Sequence, residues 1–496
     1  MSDQRYHMDG PGNDQRRPGY DQRRRARMRA MRRRKVRRQR MIVAAVFALL
    51  VLLISVLAVR AYQSAQDRKR AEAVRSALAV CFEETVNTAE NAGATPEEEL
   101  PDGQAFAAWA VETYPAILEG SLADKAEAGE KLSAKDVYDN FGSTLYVLND
   151  EYTGKLKDAE TAKENGIYIS GQGKAGENAE SVHISVAGDL CFAEDGYVLD
   201  HYDEVNDLEK CISPQILDIT KSADIFFINH EYAISDRGEP LEGKYYTFRA
   251  RPERMALLQE MGTDLVSLAN NHVYDYGPDA LLDTADLLDE AGIPYVGGGR
   301  NIEEAKRPVY FISNGIKIGF VGASSAEQYH FTPQATEDSP GILEAYDTAE
   351  FNQVISEASK ECDYLIAYIH WGPEDEEQYA DYQTEEGKEF LASGADIVVG
   401  GHPHVLEGIE YTDDGPIVYS MGDFWFNDET KYTGLLNLKI GVDGLDEMSF
   451  TPCQQRDYTT QYLEGKEEQR EMFDFLEGLS PNISIDDNGV ITKVQE

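Results

Sequence analysis

The apolar positions change their period along the chain, and each change predicts a different element. From Met41 to Val59 every residue except Ser55 is apolar, a run of the roughly 18 or more residues that span hydrocarbon as a helix. From Gln63 to about Asn91 the apolar positions Val74, Leu78, Cys81 and Phe82 share one helical face, which predicts a stalk helix. Between 103 and 165 the helical period continues through Phe106, Trp109, Ala110, Tyr114, Ile117 and Leu118, which predicts a small helical domain or cap. Ser170 to Asn178 is Gly-rich and polar and reads as a linker.

From Val182 onward short β-branched runs alternate with helical stretches. The predicted strands are Val182–Ala187, Asp224–Ile228, Asp264–Leu268, Ile316–Val321, Tyr364–Ile369, Ile397–Val399 and Ile417–Tyr419. The helices between them are Pro252–Met261, Pro278–Ala291, Glu350–Ser359 and Glu385–Ser393. That alternation predicts an α/β fold with a largely parallel sheet. Leu436–Val442 and Met448–Phe450 predict a terminal hairpin, and Glu467–Leu479 one helix in an acidic end. The chain thus divides into a tail (1–40), an anchor (41–61), a helical stalk or cap (62–165), a linker (166–181), an α/β domain (182–460) and an acidic tail (461–496).

Charge changes the picture by separating the two ends. Residues 1–40 carry 15 Lys and Arg against 4 Asp, a net of +11. The whole chain is at −44, which leaves −55 on residues 41–496. Arginines immediately before an apolar span keep the N-terminus cytoplasmic. The expectation is a single-pass cell-membrane protein with an extracellular C-terminal body. A cleaved signal peptide is the competing reading, with Val59-Arg60-Ala61 as its site, but the apolar run exceeds a usual signal core. A basic tail beside a span meets anionic lipid rather than nucleic acid. Five cysteines cannot all pair internally and form no CxxC metal motif; Cys191 and Cys211 are either a pair that export permits or two buried thiols.

Candidate chemistry stands where each apolar run ends. Ligands of open α/β sheets bind beyond the carboxyl ends of strands, and those ends read Gly188-Asp189, Asn229-His230-Glu231, Asn270-Asn271-His272 with Asp275 behind, His370-Trp371-Gly372, Gly401-His402-Pro403-His404 and Ser420-Met421-Gly422-Asp423. Five of the nine histidines occupy these positions, too many for loop filler. Extended backbone would aim His402 and His404 at one spot. Carboxylate, amide and imidazole donors together predict a divalent metal centre of one or two ions, and suit Mn, Fe or Zn without choosing among them. Asp423 is left open, because Ser-Met-Gly-Asp is also a turn sequence.

With these residues in view, the sequence resembles the CapA family, the capsule poly-γ-glutamate biosynthesis proteins, whose fold is similar to that of calcineurin-like metallophosphoesterases. The resemblance runs from about His183 to Tyr458 and rests on the strand-end motifs together with Phe248-Arg249-Ala250, Asn270 to Gly277, Gly297 to Ala305, His402-Pro403-His404 and Ser420 to Phe424. It implies a metallophosphoesterase-like α/β sandwich with the metal site at the strand carboxyl ends, beside an N-terminal transmembrane helix and a small helical region. It implies that Asp189 and His404 bind a first metal, that Glu231 bridges, and that Asn271, His370 and His402 bind a second. It makes His272 the general acid. Two departures stand out: Cys191 occupies the place of a usual ligand histidine, and the bridging carboxylate is a glutamate in a different motif. They leave the first metal position weak, water-completed or empty. Arg249 is a candidate clamp for a carboxylate or phosphate, or else a surface ion-pair residue.

The resulting expectation is a metal-dependent hydrolase or transferase acting on an anionic envelope polymer such as poly-γ-glutamate. One rival is a non-catalytic assembly or export factor partnered with the membrane subunits of a capsule synthase. The other is a phosphoesterase on an envelope metabolite. The −55 body weighs against tight binding of a polyanion, because like charges repel over a Debye length of about 8 Å at physiological salt.

Overall fold

The computed structural model describes residues 65–84, 102–170, 180–194, 197–327 and 331–494. The basic tail, the apolar run Met41–Val59 and most of the expected linker lie outside these. Among the described residues no helix is long and apolar enough to cross a membrane.

In chain order the main strands are β1 (Ile167–Ile169), β2 (Ser181–Leu190), β3 (Ile225–His230), β4 (Leu265–Ser267), β5 (Tyr295–Val296), β6 (Val309–Ser313), β7 (Ile316–Ser324), β8 (Tyr364–His370), β9 (Ile397–Gly401), β10 (Ile409–Tyr411), β11 (Pro416–Val418), β12 (Asp423–Trp425), β13 (Lys431–Gly441), β14 (Gly444–Arg456) and β15 (Thr459–Tyr462). They form two sheets, as a sandwich requires, and not the single sheet that the strand pattern alone suggests. The first runs β15-β14-β13-β2-β3-β4-β5, with β12 paired to β2, and the second runs β1-β6-β7-β8-β9-β11-β10. The central strands β2 to β5 are mutually parallel, as are β7, β8, β9 and β11. The expected hairpin is β13 and β14.

The sheets face each other across a shared core. Alternate side chains of a strand point to opposite faces, so Ile225 and Phe227 enter this core while Phe226 and Ile228 meet the helices outside. The Phe227 ring lies 5.6 Å from Phe320 and 5.4 Å from Tyr368, both from the second sheet. Burial on both faces explains why these strands are apolar at nearly every position. The helix Pro278–Ala291 joins β4 to β5 and falls at its expected bounds. Pro278 opens it, and Gly292 closes it in the left-handed region at φ +73°, the pairing that favours Pro at a start and Gly past an end.

Three segments depart from expectation. Helix Ala65–Phe82 does not stand free as a stalk. Its Val74, Leu78 and Phe82 are fully buried, and Phe82 stacks on Phe106 at 4.0 Å. Second, the helical region is no cap over the strand carboxyl ends. It docks at the opposite end, on the β6–β7 turn: Thr144 N donates to Gly315 O (2.8 Å) and the Tyr138 hydroxyl to Asn314 O (3.3 Å). Lys317, the second residue of β7, pairs there with Asp150 at 2.6 Å, both side chains 1% exposed. Ile167–Ile169, placed in the linker by sequence, adds β1 to the edge of the same sheet. Third, the acidic end holds the expected helix, but residues 461–494 pack onto the fold instead of trailing from it. Helix Lys466–Gly478 and the hairpin Ile483–Ile485/Ile491–Lys493 bury Met472, Phe473, Leu476, Ile485 and Ile491. Ser480 and Asn482 accept from the N–H groups of Ile409 and Tyr411 at 2.9 Å, which satisfies donors along the edge strand β10. None of the five cysteines, all of them described, forms a disulfide.

Candidate metal centre

Each sheet delivers half of the centre. β2 brings Asp189 beside the turn that leads into β12. A Cβ on Gly188 would stand 1.8 Å from the Gly422 carbonyl oxygen, so only glycine allows that approach. β3 ends in Asn229-His230, followed by Glu231. Asn229 and Glu231 face the centre, while His230 packs on the Tyr232 ring at 3.8 Å. The Asn229 amide donates to Asp189 Oδ1 (2.8 Å) and Glu231 Oε2 (3.0 Å), tying the two carboxylates together. Beyond β4, Asn270 Oδ1 accepts from the N–H groups of His272 and Val273 (3.0 and 2.9 Å). That tight turn presents Asn271 and His272.

The second sheet contributes the histidines. His370 ends β8; its Nδ1 lies 3.2 Å from the Tyr368 hydroxyl, which leaves Nε2 facing Asn271 Oδ1 at 2.9 Å and Glu231 Oε1 at 3.4 Å. β9 stops at Gly401, where a Cβ would come within 2.4 Å of the Tyr368 hydroxyl and 2.7 Å of Asp189 Oδ1. His402 and His404, which follow it, are not on extended backbone. They lie at φ +97° and +59°, a left-handed turn that costs a non-glycine residue on the order of 1–3 kcal/mol and recurs at functional sites. The His402 N–H donates to Asp189 Oδ2 at 3.0 Å. Asp423 Oδ1 holds His404 Nδ1 at 2.8 Å, so Nε2 is the nitrogen turned to Glu231 Oε1, 4.0 Å away.

Ligand-type atoms of Glu231, His370 and His402 all lie within 4.8 Å of one another, as do those of Asp189, Glu231 and His404. Glu231 belongs to both groups. Two donors at about 2.0–2.1 Å from one cation stand roughly 3–4 Å apart, and the 3.4 and 4.0 Å separations from Glu231 Oε1 to the two imidazoles fit that span. Glu231 Oε1 and His402 Nδ1 are buried without a hydrogen-bond partner. A divalent ion would satisfy both, so the residues fit such a group. Asp189, Glu231, Asn271, His370, His402 and His404 thus come together.

Burial pushes the Asp189 carboxyl up to about 7, reinforced by the Glu231 charge, and pushes Glu231 up to about 7 as well. Burial holds the His370 imidazole down to about 4 and His402 well below its ordinary value. Burial also pulls His404 down, but the charge and hydrogen bond of Asp423, with Glu231 and Asp189, override it and raise it to about 10. Packed acids competing for protons beside the neutral imidazoles of His370 and His402 are an arrangement that a cation stabilises.

His272 stands beside this cluster, 5% exposed. Its Nδ1 meets Asp275 Oδ2 at 2.7 Å, and its ring packs, tilted by 39°, at 4.4 Å from the Phe248 ring. Lys244 reaches in from the loop before β4, pairing with Asp275 Oδ1 at 2.8 Å and donating to the Asn271 carbonyl. Arg249 is not drawn into the cluster: its guanidinium donates to the carbonyls of Arg237 and Gly238 and lies 4.0 Å over the Tyr276 ring. Cys191 faces the apolar core with Phe192 and Trp425, and burial pushes its thiol well above its ordinary value. Sequence reasoning gave no role to Asn229, Tyr368, Lys244 or Asp275. Asn229 carried a signal, two residues before Glu231 on one strand face. Lys244 carried none.

The family model of the bacterial capsule synthesis protein PGA_cap matches residues 183–428. The chain belongs to this CapA family. Every residue of the centre lies inside the matched stretch, and the helical region lies outside it. Among curated relatives, the PGA biosynthesis protein CapA of Bacillus subtilis is 33% identical over 204 residues, 40% of this chain and 53% of that one. The capsule biosynthesis protein CapA of Bacillus anthracis is 31% identical over 209 residues, 41% and 50% of the two chains. A Mycobacterium tuberculosis protein named "Probable polyglutamine synthesis accessory protein" is 28% identical over 211 residues, 41% and 55%. The matched stretch spans about half the length of each of these CapA-family relatives.

Proposed function

We infer that the chain is a metal-dependent hydrolase or transferase of capsule or poly-γ-glutamate biosynthesis, anchored by residues 41–59 with its body outside the cell. The observation that carries this reading is the pair of buried ligand atoms without a hydrogen bond, Glu231 Oε1 and His402 Nδ1, inside a cluster built from both sheets. Asp189, Glu231 and His404 would hold one divalent ion, and Glu231, Asn271, His370 and His402 a second. Such an ion, when bound, supplies an acidified water and polarises the attacked group. Asn229 fixes the two carboxylates, and Asp423 fixes the orientation of the His404 ring, hydrogen bonds of the kind that hold metal ligands in place. With Nδ1 on Asp275, His272 presents Nε2 to the leaving atom and gives it a proton. Phe248 and Phe426 pack on the rings of His272 and His404 at 4.4 and 4.7 Å and keep water off them.

The test is turnover by the full chain, purified in detergent and supplied with Mn²⁺, on poly-γ-glutamate and on a generic phosphodiester. Cleavage or transfer on the polymer, reduced about 10²–10⁴-fold in His272→Asn with metal content retained, is the expected result. Turnover of the phosphodiester alone would move the substrate to an envelope phosphoester. No turnover of either, with polymer lost from cells carrying His402→Ala, would contradict catalysis and favour an accessory partner of a capsule synthase. The −55 charge on residues 41–496 supports that second reading, since it repels a free polyanion.

A further inference from the structure

The two ligand groups above are made of buried or partly buried side chains. A third group adds an exposed one: a carboxylate oxygen of Glu374 and ring nitrogens of His402 and His404 lie within 4.8 Å of one another. The loop that carries Glu374 is fastened to the histidine turn on both sides. Trp371 N donates to Gly401 O at 3.0 Å, and Asp375 N to Pro403 O at 2.9 Å. Gly372 at φ +96° lies so close that a Cβ would stand 2.9 Å from the Pro403 ring. Lys431 adds a 3.1 Å contact to Asp375. The Glu374 carboxylate itself makes no hydrogen bond or ion pair among the described residues, and it faces His402, whose Nδ1 is buried and unpartnered in a residue 4% exposed.

We propose that Glu374 is a metal ligand on the solvent side of the centre, the exchangeable one, which an anionic group of the substrate replaces. This rests on the reading that the centre holds a divalent cation. Its loop is pinned, so the carboxylate stays near the histidines. Its exposure lets it swing out without opening the core. Asp189 and Glu231, fully buried and tied through Asn229, have no such freedom.

Calorimetric titration of Mn²⁺ into the full chain in detergent tests it, with Glu374→Gln and, as a control for general surface charge, Glu376→Gln. The visible spectrum of the Co²⁺ form gives a second readout. Glu374→Gln is expected to keep the stoichiometry, to weaken Mn²⁺ at least tenfold, and to change the Co²⁺ bands; Glu376→Gln is expected to do none of these. Equal affinity and unchanged bands in Glu374→Gln overturn the proposal while leaving the metal centre intact. Equal weakening in both variants also overturns it, because it assigns the effect to net charge. A parent that binds no cation overturns the metal centre itself.

Discussion

Asn229 is the residue on which the two carboxylates depend. Its one amide donates to both Asp189 and Glu231, so Asn229→Ala leaves two buried oxygens without a donor. Loss of such an outer partner typically costs 10–100-fold in metal affinity, and that is the expected drop for Mn²⁺ by calorimetry, with the fold retained by circular dichroism. Protons compete at the same oxygens. Asp189 and Glu231 stand at about 7 in the folded chain against about 3.9 and 4.3 unfolded. Between those values the metal-free folded chain holds protons that the unfolded chain has lost, so their stabilising contribution is present below about 4 and disappears as pH rises towards 7. A cation displaces those protons, so its affinity should rise across this window. Mn²⁺ binding at pH 5.5 is expected to be at least tenfold weaker than at pH 7.5; equal affinity would contradict the assignment. At this scale much of the centre was legible, because chemistry-bearing residues followed apolar runs. The left-handed backbone of His402 and His404 was not: its partner, the Asp189 carboxylate that accepts from the His402 N–H, is far off in sequence. The place of Arg249, left open between a clamp and a surface ion pair, was not legible for the same reason, since its carbonyl partners and Tyr276 are set by folding.

At the scale of elements, seven of the strands from 182 to 419 were readable because both of their faces are buried and their apolar runs are nearly continuous, while β5, β6 and β10 were missed. Their division between two sheets was not, since the apolar pattern does not say which strands are neighbours. The helical region illustrates the limit. Its helices were visible as a period, but its place was set by single polar pairs such as Lys317 with Asp150. Removing one partner of a buried ion pair costs about 3–5 kcal/mol, while an apolar pair of similar size is often neutral or better. Asp150→Ala is therefore expected to lower unfolding stability in urea by that amount, and Asp150→Leu/Lys317→Met to restore most of it. Metal affinity should not change in either, because the pair lies at the end of the sheet away from the centre. A change in affinity would mean that the two ends are coupled.

Across the whole molecule, the helix in the acidic end was legible in the sequence, but its packing onto the core, and the hairpin Ile483–Ile485/Ile491–Lys493 behind it, were not. Met472, Phe473, Leu476, Ile485 and Ile491 are buried, and each such side chain contributes about 1.5–3 kcal/mol, together comparable to the roughly 5–15 kcal/mol that holds a typical domain folded. A chain ending at 463 is expected to aggregate or unfold on expression, read by solubility and thermal melting; a soluble, cooperatively melting product would contradict this packing. The centre depends on both sheets being closed on that shared core, because neither sheet alone carries a full set of ligands. The most direct test of the whole account is the metal content of the purified full chain, by elemental mass spectrometry, beside a His402→Ala/His404→Ala variant. One or two equivalents of a divalent metal in the parent, lost in the variant, is the predicted result. A metal-free parent after expression with Mn²⁺ and Zn²⁺ supplied would contradict the centre and leave a non-catalytic scaffold.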